Sequence, residues 1–126
     1  MREDLNKISY AVIGAAMEVH RNIGPGFLES IYEEALCVEL EPREIPFVRQ
    51  APIQLAYKGR MIGEGRVDIL VANQVIVELK AVETLIPIHT AQIMSYLKAS
   101  NLELGLLINF NVKTRKDSIH RIVNKL

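Results

Sequence analysis

The chain has few cysteines, no tryptophan and no excess charge of either sign. Among its 126 residues there is one cysteine, Cys37, and there is no tryptophan. A lone cysteine excludes an internal disulfide framework and a cysteine-rich zinc site, and it favours a reducing, cytoplasmic setting. The formal net charge is zero, so the overall charge gives no argument for binding to nucleic acid.

Long apolar runs are also missing. No segment approaches the roughly 20 apolar residues that a helix needs to cross a bilayer, and residues 1–7 are too polar for the apolar core of a secretory signal. The sequence therefore predicts a cytoplasmic location without membrane association. Hydrophobic residues make up 49% and charged residues 24% of the chain, which is typical of a globular domain. We expect residues 1–126 to form one domain.

The charges are distributed unevenly along the chain. Residues 1–41 hold eight acidic and three basic side chains, although the whole chain has 15 of each kind. The pattern predicts an acidic helical half beside a basic sheet half. Such a division can mark a binding surface, and it can equally be two solvated faces of opposite sign.

Apolar periodicity predicts three helices. Helical spacing covers residues 3–20 and 28–40, and the breaker cluster at 22–26 separates these two segments. Pro87 opens a third helix that runs to about residue 100. In the second helix we expect five side chains to face the core: Leu28, Ile31, Tyr32, Ala35 and Leu36.

Four segments have the composition of β-strands. In a fifth segment apolar and polar residues alternate, which allows a further strand. These five segments are residues 47–57, 61–71, 75–82, 103–110 and 118–123. Pro52 places the first of them at a sheet edge or a bulge. The order predicts an α/β (α+β) fold, in which three strands form a meander and a helical crossover leads to a fourth strand of a mixed sheet.

Charged residues end the third strand, which is otherwise apolar. Glu78 and Lys80 should point to one side of the sheet and Leu79 to the other, because strand residues alternate their facing. Asp68 lies on the strand before. Such charges at the end of a buried strand are costly unless they have partners or a task. Two carboxylates with a lysine beside them predict a site for a hard divalent cation.

This hypothesis depends on the length of one turn. If residues 72–74 form a three-residue loop, Val71 opposes Val75 and Asp68 falls opposite Glu78. A two-residue loop would turn Asp68 to the other face. The alternative is an ion pair between Asp68 and Lys80 at a strand edge, with Glu78 solvated. The spacing alone favours neither.

Polar side chains on two helices are further candidates for the site. Glu29 near the start of the second helix is either another metal ligand or a residue that compensates the helix dipole. Gln92 and Tyr96 share one face of the third helix, four residues apart. A glutamine there can orient a water or a phosphate oxygen, or it can be an ordinary surface residue.

Several separated motifs, taken in order, resemble the GxxExxY proteins. They include Gly26-Phe-Leu-Glu29-Ser-Ile-Tyr32 with His20 and Gly24 before it, and Gln50, Tyr57-Lys-Gly59, Asp68, Glu78-Leu-Lys80, Gln92-Ile-Met-Ser-Tyr96 and Asn109 after it. The resemblance runs over nearly the whole chain. That family looks like a compact branch of the PD-(D/E)XK nuclease-like superfamily. It implies a restriction-endonuclease-like core of helix, three strands, helix and strand, preceded by an extra N-terminal helix.

The resemblance also implies a set of roles. Asp68, Glu78 and Lys80 stand for the charged motif residues, although Val67 takes the place of the motif's proline. The implied metal is Mg²⁺ or Mn²⁺, held by Asp68, Glu78, the Leu79 carbonyl and Glu29. The remaining assignments are Gln92 as a catalytic residue; Tyr32, Tyr96 and His20 as supporting residues; and Lys58, Arg60 and Arg66 as contacts to a nucleic-acid backbone.

The implied activity is metal-dependent hydrolysis of phosphodiester bonds in nucleic acid, and DNA is favoured over RNA as the substrate. The alternative is a non-catalytic module that keeps the fold and binds nucleic acid or protein. A homodimer would allow two cuts on a duplex. For Lys58, Arg60 and Arg66, a solvated strand edge explains the charges as well as a nucleic-acid contact does.

Overall fold

The structure is a computed structural model that describes residues 3–114 and 117–126. Within these residues it contains three helices and five strands: α1 (Glu3–Ile23), α2 (Glu29–Leu40), β1 (Phe47–Tyr57), β2 (Arg60–Val71), β3 (Val75–Lys80), α3 (Pro87–Ser100), β4 (Leu104–Asn109) and β5 (Ile119–Val123). The predicted order of elements is confirmed, and the fifth strand is present.

The strands form one mixed sheet in the order β1-β2-β3-β4-β5. Strands β1, β2 and β3 form an antiparallel meander, β4 lies parallel to β3 after the α3 crossover, and β5 returns antiparallel to β4. This is the predicted mixed sheet. Strand β1 lies at an edge and Pro52 is exposed there, as predicted for a proline within a strand.

Helices cover both faces of the sheet. Helices α1 and α2 pack on one face, where Tyr32 and Leu36 join Val77 and Leu79 in a buried cluster. Helix α3 packs on the other face, where Ile93 and Leu97 meet Ile76 and Leu107. No helix in the described ranges combines the length and apolar character needed to cross a membrane.

Two of the core positions predicted for α2 are wrong. Leu28 is 75% exposed and Ile31 is 45% exposed, whereas Tyr32 and Leu36 are fully buried. Leu28 precedes the helix and has extended backbone dihedrals, so it does not share the helical facing of the residues that follow. The buried face of α2 begins only at Tyr32.

The β1–β2 hairpin extends beyond the rest of the sheet. Its pairing runs from Phe47 opposite Val71 to Tyr57 opposite Arg60. Strand β2 pairs with β3 only from Ile69 to Val71. The far part of the hairpin is therefore a two-stranded ribbon that leaves the sheet at Asp68. We call this point of departure the fork, and we call residues 56–64 the free ribbon.

Candidate active site

The turn between β2 and β3 has the length that the metal hypothesis requires. Val71 pairs with Val75, so residues 72–74 form a three-residue loop, and Ala72 and Asn73 both have positive φ angles. The register continues through Ile69 opposite Val77. Asp68 consequently falls opposite Glu78, as the odd loop length predicts.

Side chains replace the backbone ladder at the fork. The backbone N–H of Asp68 donates a hydrogen bond to Glu78 Oε1 at 3.1 Å. The backbone N–H of Leu79 donates to Asp68 Oδ2 at 2.8 Å. Each carboxylate thus satisfies a backbone donor of the opposite strand, which would otherwise be left unpaired where the strands separate. These two bonds keep the carboxylates next to each other.

The facing of β2 changes at the same place. Val67 packs in the α3 cluster and Ile69 packs in the α1–α2 cluster, although residues two apart on a regular strand share a face. In β1, Gln50 lies between the paired residues Arg49 and Ala51 and has a positive φ of 50°. The hairpin therefore twists sharply at Asp68, which turns this side chain toward β3.

Glu78 is buried, and its ionisation is unfavourable. Its residue exposure is only 8%. Burial, and then the negative charge of Asp68, raise the pKa of Glu78 from 4.5 to about 8, although the charge of Lys80 acts in the opposite direction. Neutral pH therefore does not readily ionise both carboxyl groups. A cation between them would remove this penalty, so the pair fits a hard divalent ion with oxygen ligands.

Lys80 lies two residues after Glu78 on β3, on the same face of the sheet, and is half-buried. No ion pair formed by Lys80 is found among residues 3–114 and 117–126. The alternative of an Asp68–Lys80 ion pair beside a solvated Glu78 is therefore wrong. The positive charge of Lys80 still acts on Glu78, because it lowers the pKa of that carboxyl group.

Leu79 has the predicted facing and an additional contact. Its side chain is 1% exposed in the α1–α2 cluster, while its N–H is bound to Asp68. Its carbonyl as a metal ligand stays a prediction.

Asn109 holds the chain that follows Lys80, and the sequence did not assign it a role. It is 2% exposed, its Nδ2 donates to the Val82 carbonyl at 3.0 Å, and its Oδ1 accepts from the Val82 N–H at 3.1 Å. In addition, Phe110 N–H donates to the Lys80 carbonyl at 2.9 Å. A polar residue ending the apolar run of β4 was the signal that could have identified this clamp.

Glu29 does not join the two carboxylates. It is exposed at the first position of α2, which packs on the face opposite Glu78. The described parts of the chain contain no group of three His, Cys, Asp or Glu side chains suited to a metal ion. Glu29 as a ligand stays a prediction, and it requires an approach around the end of the sheet.

Tyr32 places the start of α2 at that end of the sheet. Its ring stacks on Phe110 with centroids 4.3 Å apart and planes 2° apart. Its hydroxyl donates to the Gly24 carbonyl at 2.6 Å and accepts from the Phe27 N–H at 3.2 Å. Because Phe110 is bound to Lys80, Tyr32 links the Gly24–Glu29 segment to the Lys80 end of β3.

Gln92 and Tyr96 lie on α3, on the same side of the sheet as Glu78. Gln92 Nε2 donates to the Tyr96 hydroxyl at 3.4 Å. The Tyr96 ring packs on Gly65 of β2, where an added Cβ would lie 2.5 Å from Tyr96 Cε1. Tyr96 thus anchors α3 to the strand that carries Asp68, and Gln92 remains exposed.

His20 supports a neighbouring loop. It is 6% exposed, and its Nε2 lies 2.7 Å from the Val112 carbonyl, to which it donates. It thereby fixes the segment after Phe110 to the C-terminal part of α1. Its contact is with this loop and not with the carboxylates.

The three predicted backbone-contact residues lie on the β1–β2 hairpin and are exposed. The Lys58 Nζ lies 5.5 Å from the centroid of the Tyr57 ring. Arg66 donates to the Gln50 carbonyl at 3.4 Å and approaches Glu64 at 3.9 Å. Arg60 lies at the start of β2, opposite Tyr57.

The family model described as the PD-(D/E)XK nuclease superfamily matches residues 6–122. No curated protein matches the chain. A crystal structure of a protein named SSO0001 is similar with a TM-score of 0.47 and 15% identity, covering 94% of this chain and 78% of that one.

The family match includes every strand of the sheet up to Ile122, and both residues that meet at the fork. Nucleases of this superfamily generally use divalent metal ions, and the superfamily implies a nucleic-acid substrate. With its mixed sheet, three helices and paired carboxylates, the chain belongs to the PD-(D/E)XK nuclease superfamily.

Proposed function

We propose that the protein is a nuclease that hydrolyses phosphodiester bonds with the help of Mg²⁺ or Mn²⁺. One observation supports this more than any other: the buried carboxylate of Glu78 is held beside that of Asp68 by reciprocal bonds to the backbone. Two neighbouring carboxyl groups that do not readily ionise together add little to stability when both are charged, but they suit a bound cation. We also propose that the chain belongs to the GxxExxY branch of its superfamily, a proposal that the separated sequence motifs support.

Asp68 and Glu78 would hold the ion through oxygen, with the Leu79 carbonyl and, directly or through water, Glu29. The chemistry that such an ion would supply is to offset negative charge on the phosphate. Lys80 donates to a phosphate oxygen or positions the attacking water. Gln92 orients the water or a phosphate oxygen, and its bond to Tyr96 limits the positions that its amide can take.

A second candidate function is a module that binds nucleic acid or protein without cleavage. The exposed position of Glu29, away from the other two carboxylates, favours it, because a site with fewer protein ligands holds a divalent ion less tightly. The two functions differ in whether substrate is consumed when the ion is supplied.

The experiment is a cleavage assay on a panel of duplex DNA, single-stranded DNA and RNA, with increasing Mg²⁺ or Mn²⁺. The variants are Glu78→Gln, which preserves the shape of the side chain, and Glu41→Gln as a matched control at an exposed position after α2. The nuclease predicts cleavage by the wild type and the control, and its loss in Glu78→Gln. Binding without cleavage by all three proteins would favour the second candidate.

A further inference from the structure

The free ribbon is bare on both of its faces. Residues 56–64 are all exposed, although a strand packed on one side buries every second residue. Two antiparallel strands without a third strand or a helix are only marginally stable in water. Helix α3 covers the base of the ribbon, where Tyr96 packs on Gly65, and the rest extends past it.

Large apolar side chains occupy this bare segment. Tyr57 is 61%, Met61 is 60% and Ile62 is 67% exposed. Single exposed apolar residues need no explanation. Three within six residues, on a ribbon that nothing covers in the described structure, indicate a surface that another molecule buries.

The charges of the ribbon favour a polyanion as that molecule. Lys58 and Arg60 flank Gly59 at the turn, and Arg66 lies at the base. Glu64 is the one acidic residue between positions 51 and 67, and it accepts from Gln54 at 3.1 Å and lies 3.9 Å from Arg66. Cations therefore dominate a surface that also carries apolar side chains.

The ribbon is continuous with the candidate active site. Arg66 precedes Asp68 by two residues on β2. At about 3.3 Å per strand residue, the turn at Gly59 lies roughly 30 Å from Asp68. A rod-shaped polyanion lying along the ribbon would pass the fork, where Asp68 meets Glu78.

The dimensions of the ribbon select one kind of nucleic acid. Its two strands are about 4.8 Å apart, and the major groove of B-form DNA, about 12 Å wide, admits such a two-stranded ribbon. The major groove of A-form RNA is too deep and narrow for side chains to read. We propose that the free ribbon enters the major groove of double-stranded DNA and presents the duplex to the Asp68–Glu78 site.

This inference rests on the proposed function for the role of that site, but binding can be measured without cleavage. The test measures the affinity of the whole chain for labelled duplex DNA and for duplex RNA of the same sequence. Fluorescence anisotropy in EDTA, over a series of salt concentrations, prevents any cleavage. The variants are Lys58→Gln/Arg60→Gln and Met61→Ser/Ile62→Ser, all at exposed positions that do not support the core.

The matched control is Lys7→Gln/Lys125→Gln, which removes the same charge. Lys7 lies on α1 and Lys125 follows β5, at the sheet edge opposite β1. We expect tighter binding to DNA than to RNA. The ribbon charge variant should weaken DNA binding on the order of tenfold or more and reduce the salt slope by about two, while the control should not. The apolar variant should weaken binding without changing the slope.

Several results would overturn the inference. They are equal affinity for the two duplexes, no binding to either, ribbon variants that bind as the wild type does, or a ribbon variant whose main effect is to dissociate a dimer in light scattering. Failure of the proposed function looks different: the protein would bind DNA through the ribbon and leave it intact when Mg²⁺ or Mn²⁺ is added.

Discussion

Asp68 donates its backbone N–H to the Glu78 carboxylate at 3.1 Å, at the point where β2 stops pairing with β3. The return bond, from Leu79 N–H to the Asp68 carboxylate, is 2.8 Å long. The same two bonds therefore end the sheet pairing and assemble the candidate site. Substitutions at the fork should consequently affect both stability and activity, and pH and metal ions should separate the two effects.

The stability of the metal-free protein should fall as pH rises. Because the folded pKa of Glu78 is raised from 4.5 to about 8, the folded state binds more protons than the unfolded state between these values. Stability contributed by the protonated group is therefore full below pH 4.5 and is lost as pH rises through about 8. Glu78→Gln should remove this dependence and be more stable than the wild type at pH 8, by more than about 1 kcal/mol. Urea denaturation across this range measures both proteins.

Removing Lys80 should change chemistry more than stability. Lys80 makes no ion pair in the described ranges, so Lys80→Met should alter the free energy of unfolding by no more than about 0.5 kcal/mol at pH 5, where Glu78 is protonated. Its cleavage rate should fall on the order of a hundredfold, because a charge that stabilises the transition state is lost. Because the charge of Lys80 lowers the pKa of Glu78, its removal should raise that pKa further. The loss of stability with rising pH should then extend to higher pH in Lys80→Met than in the wild type. Comparable cleavage by wild type and Lys80→Met would contradict the role of the lysine.

Two glycines of β2 provide a matched pair for the contact between α3 and the ribbon. A Cβ at Gly65 would lie 2.5 Å from the Tyr96 ring, whereas one at Gly63 meets nothing within 4 Å. Gly65→Ala should lower the free energy of unfolding by about 1–3 kcal/mol through overpacking, and Gly63→Ala should change it by less than about 0.5 kcal/mol. Thermal denaturation of both variants measures the difference. Equal effects would mean that Tyr96 is not held against β2.

Substitutions of two buried asparagines should distinguish an effect on the position of the site from an effect on stability alone. Asn109 clamps Val82 after the Glu78-Leu79-Lys80 segment, while Asn124 donates to the Leu102 carbonyl beyond β5. Asn109→Leu and Asn124→Leu should each cost about 1–3 kcal/mol of stability, because buried backbone groups lose their partners. Only Asn109→Leu should also lower kcat, measured at a temperature where both variants are folded. The same loss of kcat in both would leave Asn109 with a purely structural role.

From the sequence, the register of the site was predictable only as a condition on the turn at residues 72–74, because a two-residue and a three-residue loop were both open. Strand facing has a period of two residues, and a three-residue loop at 72–74 places Asp68 opposite Glu78. The start of α3 at Pro87 and the edge position of Pro52 likewise follow from proline chemistry.

Other features depend on contacts between distant segments. The departure of the ribbon at Asp68 results from how far β3 extends along β2, which the composition of neither strand indicates. Glu29 lies away from Glu78 because Tyr32 stacks on Phe110 on the far side of the sheet. The structure also shows the reciprocal hydrogen bonds at the fork, which spacing alone did not distinguish from an ion pair.

Calorimetric titration with Mn²⁺ at pH 8 tests the central claim most directly, using the wild type, Asp68→Asn, Glu78→Gln and the control Glu41→Gln. We expect the wild type and the control to bind the ion with the same affinity, each fork variant to lose binding, and protons to be released as Glu78 ionises. No binding by the wild type, or equal binding by all four proteins, would contradict a metal site formed by Asp68 and Glu78.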